Sequence, residues 1–132
     1  MLFVYGTLLF PEVLLAVLGR VPALTPAGLP GWRAAALPGR VYPGLVPSGP
    51  GAHAAGLVLS GLAAGEWAVL DRFEGDPYER RELDLGDARR AWTYVWRDIA
   101  GVADHDWDRS HFALTELSGY VDGCAAWRED LS

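Results

Sequence analysis

Lysine is absent from this 132-residue chain; all 11 basic residues are arginine. That removes Schiff-base chemistry and any phosphate-cradling loop that ends in Lys, since both need an amine on a flexible stem. Cysteine occurs once, at Cys124, so an internal disulfide and a multi-cysteine zinc site are excluded. A lone thiol of this kind reads as a small core residue. No apolar run approaches the roughly 20 residues of a membrane helix. The apolar start Met1–Tyr5 has no basic residues ahead of it, unlike a secretory signal. A cytoplasmic protein that stays off membranes is the expectation. Acids are scarce in one half only: residues 1–65 hold Glu12 alone against three Arg, and residues 66–132 hold sixteen acids against eight Arg. A net charge of −6 with this distribution argues against nucleic-acid binding, which needs a basic surface.

What is present suits a core. Apolar residues make up 51% of the chain and include 6 Trp, 5 Tyr and 4 Phe, so its length reads as one domain over residues 1–132. Leu2–Tyr5 is a short apolar run closed by Gly6, which predicts a buried strand. Pro11 and Glu12 suit the first turn of a helix carrying Val13, Leu14, Val17 and Leu18, with Gly19 as its stop. Seven of nine prolines fall between Val21 and Gly51, which predicts short strands joined by turns, with His53 in a loop. A core strand is expected at Ala54–Leu62, and a helix over Glu66–Glu74 or from Ala63, ended by Gly75 and Pro77. Two strands, Tyr78–Leu85 and Arg90–Arg97, follow around Gly86–Asp87; a last helix is expected over Asp106–Leu117. Residues 118–132 carry the least readable pattern. The class is α+β.

Three groups of residues are candidates for chemistry. Tyr5-Gly6-Thr7-Leu8 lies at a strand-to-helix junction, where a tight glycine turn aims successive N–H groups at an anion; the plain alternative is a turn. Glu74 shares a helical face with Trp67 and Leu70 and ends its helix. Desolvation and the negative helix end both oppose its ionisation, which raises a carboxyl toward the range useful in acid–base catalysis. The alternatives are an exposed Glu74 or one paired with Arg72 or Arg80. Asp104, Asp108 and His111 would share a helical face at i, i+4 and i+7 and read as a metal-ligand set, though Asp residues also cluster at helix starts as caps. No serine has an elbow setting. Tyr42 and Tyr78 are candidates to line a pocket.

Taken in order, Phe3-Val4-Tyr5-Gly6-Thr7-Leu8 with Pro11, then Tyr42-Pro43-Gly44-Leu45-Val46, Gly56-Leu57-Val58-Leu59, Leu70-Asp71-Arg72-Phe73-Glu74-Gly75 and Tyr78-Glu79-Arg80 resemble the γ-glutamylcyclotransferase-like superfamily. The likeness is to its small avirulence-induced-gene-like branch, and Trp107-Asp108 with His111-Phe112 resembles that branch's C-terminal helix. The resemblance implies a compact mixed β-barrel flanked by short helices, with a cavity at one side. It implies that Tyr5, Gly6, Thr7 and Leu8 bind the glutamyl end of a small-molecule γ-glutamyl substrate, with Glu74 as the acid–base residue. Cleavage by cyclisation would release 5-oxoproline and an amine, with no cofactor and no metal. The stretch 22–51 is expected to supply part of the pocket rim through Arg40 or Tyr42. A binding protein on the same scaffold and a metal-dependent hydrolase using Asp104, Asp108 and His111 are the rival readings.

Overall fold

The computed structural model describes residues 1–131. Strand β1 (Leu2–Val4) passes through a 3-10 turn at Thr7–Leu9 into helix α1 (Pro11–Leu18). Strands β2 (Ala23–Pro30), β3 (Trp32–Ala35), β4 (Gly44–Pro47) and β5 (His53–Ser60) follow, then helix α2 (Ala64–Glu74). The hairpin of β6 (Tyr78–Asp84) and β7 (Arg90–Trp96) comes next, and helices α3 (Arg109–Thr115) and α4 (Leu117–Asp130) complete the order. Five strands form one mixed sheet in the order β2-β5-β1-β7-β6, and β3 and β4 form a separate antiparallel ribbon.

β1 is the centre of this arrangement because its residues are apolar on both faces. Leu2, Phe3 and Val4 are all buried, with β5 antiparallel on one side and β7 parallel on the other. Alternation along the strand then divides the core in two. Leu2 and Val4 join Leu59, Tyr94 and Trp96 beneath α1, α2 and α4, and Phe3 and Tyr5 join Val58, Val95 and Leu45 beneath the β3–β4 ribbon. The ribbon packs against β5 through β3 and against β7 through β4, so the sheet curls over it. The α+β class holds, and the curl is compatible with the expected barrel, although sheet and ribbon are not one continuous ladder.

Several expectations need correction. Proline punctuation does not break β2, an eight-residue strand containing Pro26 and Pro30. It lies at the sheet edge, where a missing N–H costs no ladder hydrogen bond on the open side. His53 opens β5 and is not a loop residue. Asp106–Leu117 is not one helix: α3 begins at Arg109, because the preceding segment is tied along β3 by Trp107 N–H to Ala34 O and Ala36 N–H to His105 O. Residues 117–130 form the longest helix of the described residues.

Helix α2 is held at both ends. Arg20, just beyond α1, makes a two-pronged ion pair with Glu66 at 2.6 and 2.7 Å, and Glu66 also accepts the Ala63 N–H. At the other end Gly75 adopts φ 73° and returns its N–H to Asp71 O, a left-handed stop that non-glycine residues disfavour. The helix therefore terminates on Glu74.

Candidate active site

One cavity of about 130 Å³ brings together residues from five separated stretches of the chain. Its walls include the end of β1 and the turn Tyr5–Leu8, Tyr42 and Pro43 ahead of β4, Phe73 and Glu74 at the end of α2, Pro77 and Tyr78, Tyr94 of β7, and Tyr120 of α4. All seven residues expected to form the site (Tyr5, Gly6, Thr7, Leu8, Tyr42, Glu74 and Tyr78) line it. Arg40 does not; its guanidinium lies 5.3 Å from the centre of the Trp96 ring, and Tyr42 serves as the wall from that stretch.

The cavity lining contains no arginine or histidine, and Glu74 is its one acid. The Glu74 carboxyl has no ion pair and no hydrogen bond among the described residues; Arg80 instead pairs with Asp71 at 3.5 Å. Glu74 is half-buried and lines the cavity. With protein in place of bulk water around it, desolvation raises its pKa from 4.5 to about 8. The C-terminal end of α2 acts in the same sense. Of the two readings open from spacing, exposed or paired, neither describes this carboxyl.

Every tyrosine of the chain lines this cavity: Tyr5, Tyr42, Tyr78, Tyr94 and Tyr120. Three of the hydroxyls are committed to the protein. Tyr5 donates to Tyr94 O at 2.5 Å, Tyr78 to Pro43 O at 2.7 Å, and Tyr94 to Asp71 Oδ1 at 2.7 Å. Burial, with the Glu74 charge adding to it, pushes the Tyr5 and Tyr78 hydroxyls far above the usual phenol range, so both remain protonated donors. These bonds fix the walls. Tyr5 O–H ties β1 to β7, and Tyr78 O–H holds the 42–43 segment over Gly6.

Gly6 is required by that closure. A Cβ there would lie 2.8 Å from Pro43 Cγ, inside van der Waals contact with a rigid ring. The turn also leaves the N–H groups that begin the Thr7–Leu9 3-10 segment without intrahelical acceptors.

Tyr94 and Tyr120 also line the cavity, and neither is among the residues expected at the site. Tyr94 belongs to the Trp92-Tyr94-Trp96 alternation, which signals a shared sheet face but not a hydroxyl anchored on Asp71. Tyr120 has a legible signal: Leu117, Tyr120, Val121, Cys124 and Trp127 recur at helical spacing and pack on the core.

The acidic segment 104–111 lies elsewhere. Asp104 is fully exposed, Asp106 pairs with Arg33 at 3.1 Å, and Asp108 caps α3 by accepting the His111 N–H at 3.0 Å. Asp104 precedes the helix, so the expected i, i+4, i+7 face does not form. Among the described residues no group of three or more His, Cys, Asp or Glu is placed to hold a metal ion. Cys124 is buried, and desolvation raises its thiol to about 11, which keeps it neutral. No helix of the described residues is long and apolar enough to cross a membrane.

The family model described as "Gamma-glutamyl cyclotransferase, AIG2-like" matches residues 2–109, which include four of the five stretches around the cavity. The chain belongs to that family. Its relatives include AIG2-like protein C of Arabidopsis thaliana, 38% identical over 83% of this chain and 69% of the relative. AIG2-like protein D of the same plant is 31% identical over 98% of this chain and 90% of its own length. The solution structure of an Arabidopsis thaliana protein superposes with a TM-score of 0.66 at 30% identity, covering 92% of this chain and 85% of that one. Membership supports a cyclotransferase-like protein acting on a small molecule, and it accounts for the order of motifs from Phe3 to Arg80. Tyr120 lies beyond the matched residues.

Proposed function

We propose that the protein cleaves a γ-glutamyl amide by attack of the substrate's own α-amine on its γ-carbonyl, releasing 5-oxoproline and a free amine. The observation that carries this reading is the unpaired Glu74 carboxyl, held in a cation-free cavity with the Tyr5–Leu8 turn on its wall. A γ-glutamyl group contains its nucleophile, so the site needs neither a serine nor a metal-bound water. It needs a mould that folds the chain until the amine meets the carbonyl, and this is a matter of proximity. The turn holds the glutamyl end. Ionised Glu74 takes a proton from the α-ammonium, the amine forms the new C–N bond, and the tetrahedral intermediate collapses with loss of the amide nitrogen. Both protons released from the ammonium are delivered through Glu74 to the leaving amine, so no water is consumed. No cofactor enters, and the cytoplasm suits the chemistry.

A carboxyl that ionises near pH 8 is poised for both halves of that shuttle. On this reading kcat/KM rises as the pH climbs toward 8. The test is 5-oxoproline release from a panel of γ-glutamyl amines and γ-glutamyl amino acids by wild type and Glu74→Gln. The wild type is expected to turn over at least one class, and the variant to lose about 10²–10⁴-fold in kcat. An equally active variant overturns the role of Glu74. Thermal stabilisation by these compounds with no turnover of any of them would instead favour a binding protein.

A further inference from the structure

We propose that Tyr120, supplied by the C-terminal helix beyond the family-matched residues, is the specificity-determining donor that grips the α-carboxylate of the glutamyl group. The inference rests on the γ-glutamyl reading of the same cavity and deepens it. It follows from where the hydroxyl protons go. Tyr5, Tyr78 and Tyr94 each give theirs to a protein oxygen. Tyr120 is different: it accepts from Thr7 Oγ1 at 3.2 Å. A phenol has one proton to donate, and that of Tyr120 has no acceptor among the described residues.

The hydroxyl is held in place for such a contact. Its ring packs edge-on against Phe112 at 5.4 Å, and its helix is anchored by Arg128 Nε donating to Val17 O at 3.1 Å and by Trp127 against Phe73 at 5.2 Å. Tyr42, the other cavity tyrosine with an uncommitted hydroxyl, rides on the segment between β3 and β4. No cation lines the cavity, so a carboxylate there must be met by neutral donors. Hydrogen bonds to a charged acceptor are stronger than neutral ones and are directional enough to select it. A substrate head with its ammonium on Glu74 and its carboxylate on Tyr120 is bound at both charges. Thr7 sets the direction of the second contact.

Tyr120→Phe keeps the ring and removes the donor. The probes are γ-glutamyl methylamide and its counterpart with the α-carboxylate converted to a carboxamide. For the carboxylate compound the variant is expected to raise KM by about tenfold or more with kcat within about twofold, as the loss of one charge-assisted hydrogen bond requires. For the carboxamide, whose neutral carbonyl accepts a weaker hydrogen bond, the rise in KM should be several-fold smaller. An unchanged KM, or an equal loss on both probes, overturns the proposal, because a merely structural role would not distinguish them. Thr7→Val, which removes the partner hydroxyl, should show the same carboxylate-selective loss and replaces the Phe variant if that fails to fold. If wild type turns over neither these probes nor any compound of the panel, the cyclisation reading fails by itself, and calorimetry with 5-oxoproline and its amide decides the point. Preference for the carboxylate that disappears in Tyr120→Phe supports the donor. Preference that survives, or no binding of either by wild type, overturns it.

Discussion

Two acid-bearing stretches end up in opposite environments. Leu70–Glu74 and Asp104–His111 both place carboxyls at a helix end, and both look like chemistry in one dimension. In the first, the fold closes protein around one carboxyl: Glu74 faces a cavity walled by five tyrosines, and its pKa rises to about 8 through desolvation. In the second, every carboxyl stays in water or serves the backbone: Asp106 meets Arg33, and Asp108 caps α3. The difference is made by neighbours distant in sequence. Pro43 and Tyr120 come to Glu74 from more than thirty residues away on either side, and no such segment covers Asp104.

The largest test of that contrast is thermodynamic. Glu74 has a folded pKa near 8 against an ordinary 4.5, so the folded state binds more protons than the unfolded chain between those values. Its contribution to stability is complete below about pH 4.5 and is lost as the pH rises through 8. The loss is on the order of 2–4 kcal/mol after allowance for water in the cavity. Glu74→Gln is neutral at every pH and lacks this loss. The variant should therefore melt several degrees above wild type at pH 8 and close to it at pH 4.5. Parallel melting curves across that range would place Glu74 with the exposed acids.

Next in size, the wall itself can be breached. Gly6→Ala puts a Cβ against the Pro43 ring, so the 42–43 segment must move off the cavity. A destabilisation of about 1–3 kcal/mol is expected in chemical unfolding, as for other overpacked sites. Admitting water should also lower the Glu74 pKa.

The smallest effects belong to the acidic segment. Asp108→Ala removes the cap of α3 and should cost about 1 kcal/mol. Asp104→Ala, at a fully exposed side chain, should stay within about 0.5 kcal/mol of wild type. Neither is expected to change 5-oxoproline release; a loss of turnover in either would revive a role for that segment.

Much of the fold is legible because its strongest elements announce themselves locally. The apolar run Leu2–Val4, the Pro11-to-Gly19 helix, and the alternation in β7 each carry their own period and stop signal. Glu74 is legible for the same reason, since Trp67 and Leu70 mark its face. What local pattern misses is set by position in the assembly. Pro26 and Pro30 argue against a strand unless it is known to lie at the edge. Gly119 and Gly123 weaken helix propensity in α4, yet the stripe from Leu117 to Trp127 is captured by packing on α1. The start of α3 shifts to Arg109 because Trp107 gives its backbone N–H to Ala34 and its Nε1–H to Val41 O. No spacing rule reveals that three of the five tyrosine hydroxyls are committed to the protein, whereas those of Tyr42 and Tyr120 donate to none of the described residues.

The measurement that bears most directly on the cavity's hold over Glu74 is a carbon-13 NMR titration of the glutamate side-chain carboxyls, with Glu74→Gln supplying the assignment. One resonance, absent in the variant, should titrate near pH 8, far from the ordinary carboxyls at about 4 to 5. A Glu74 resonance that titrates with the others would contradict the account.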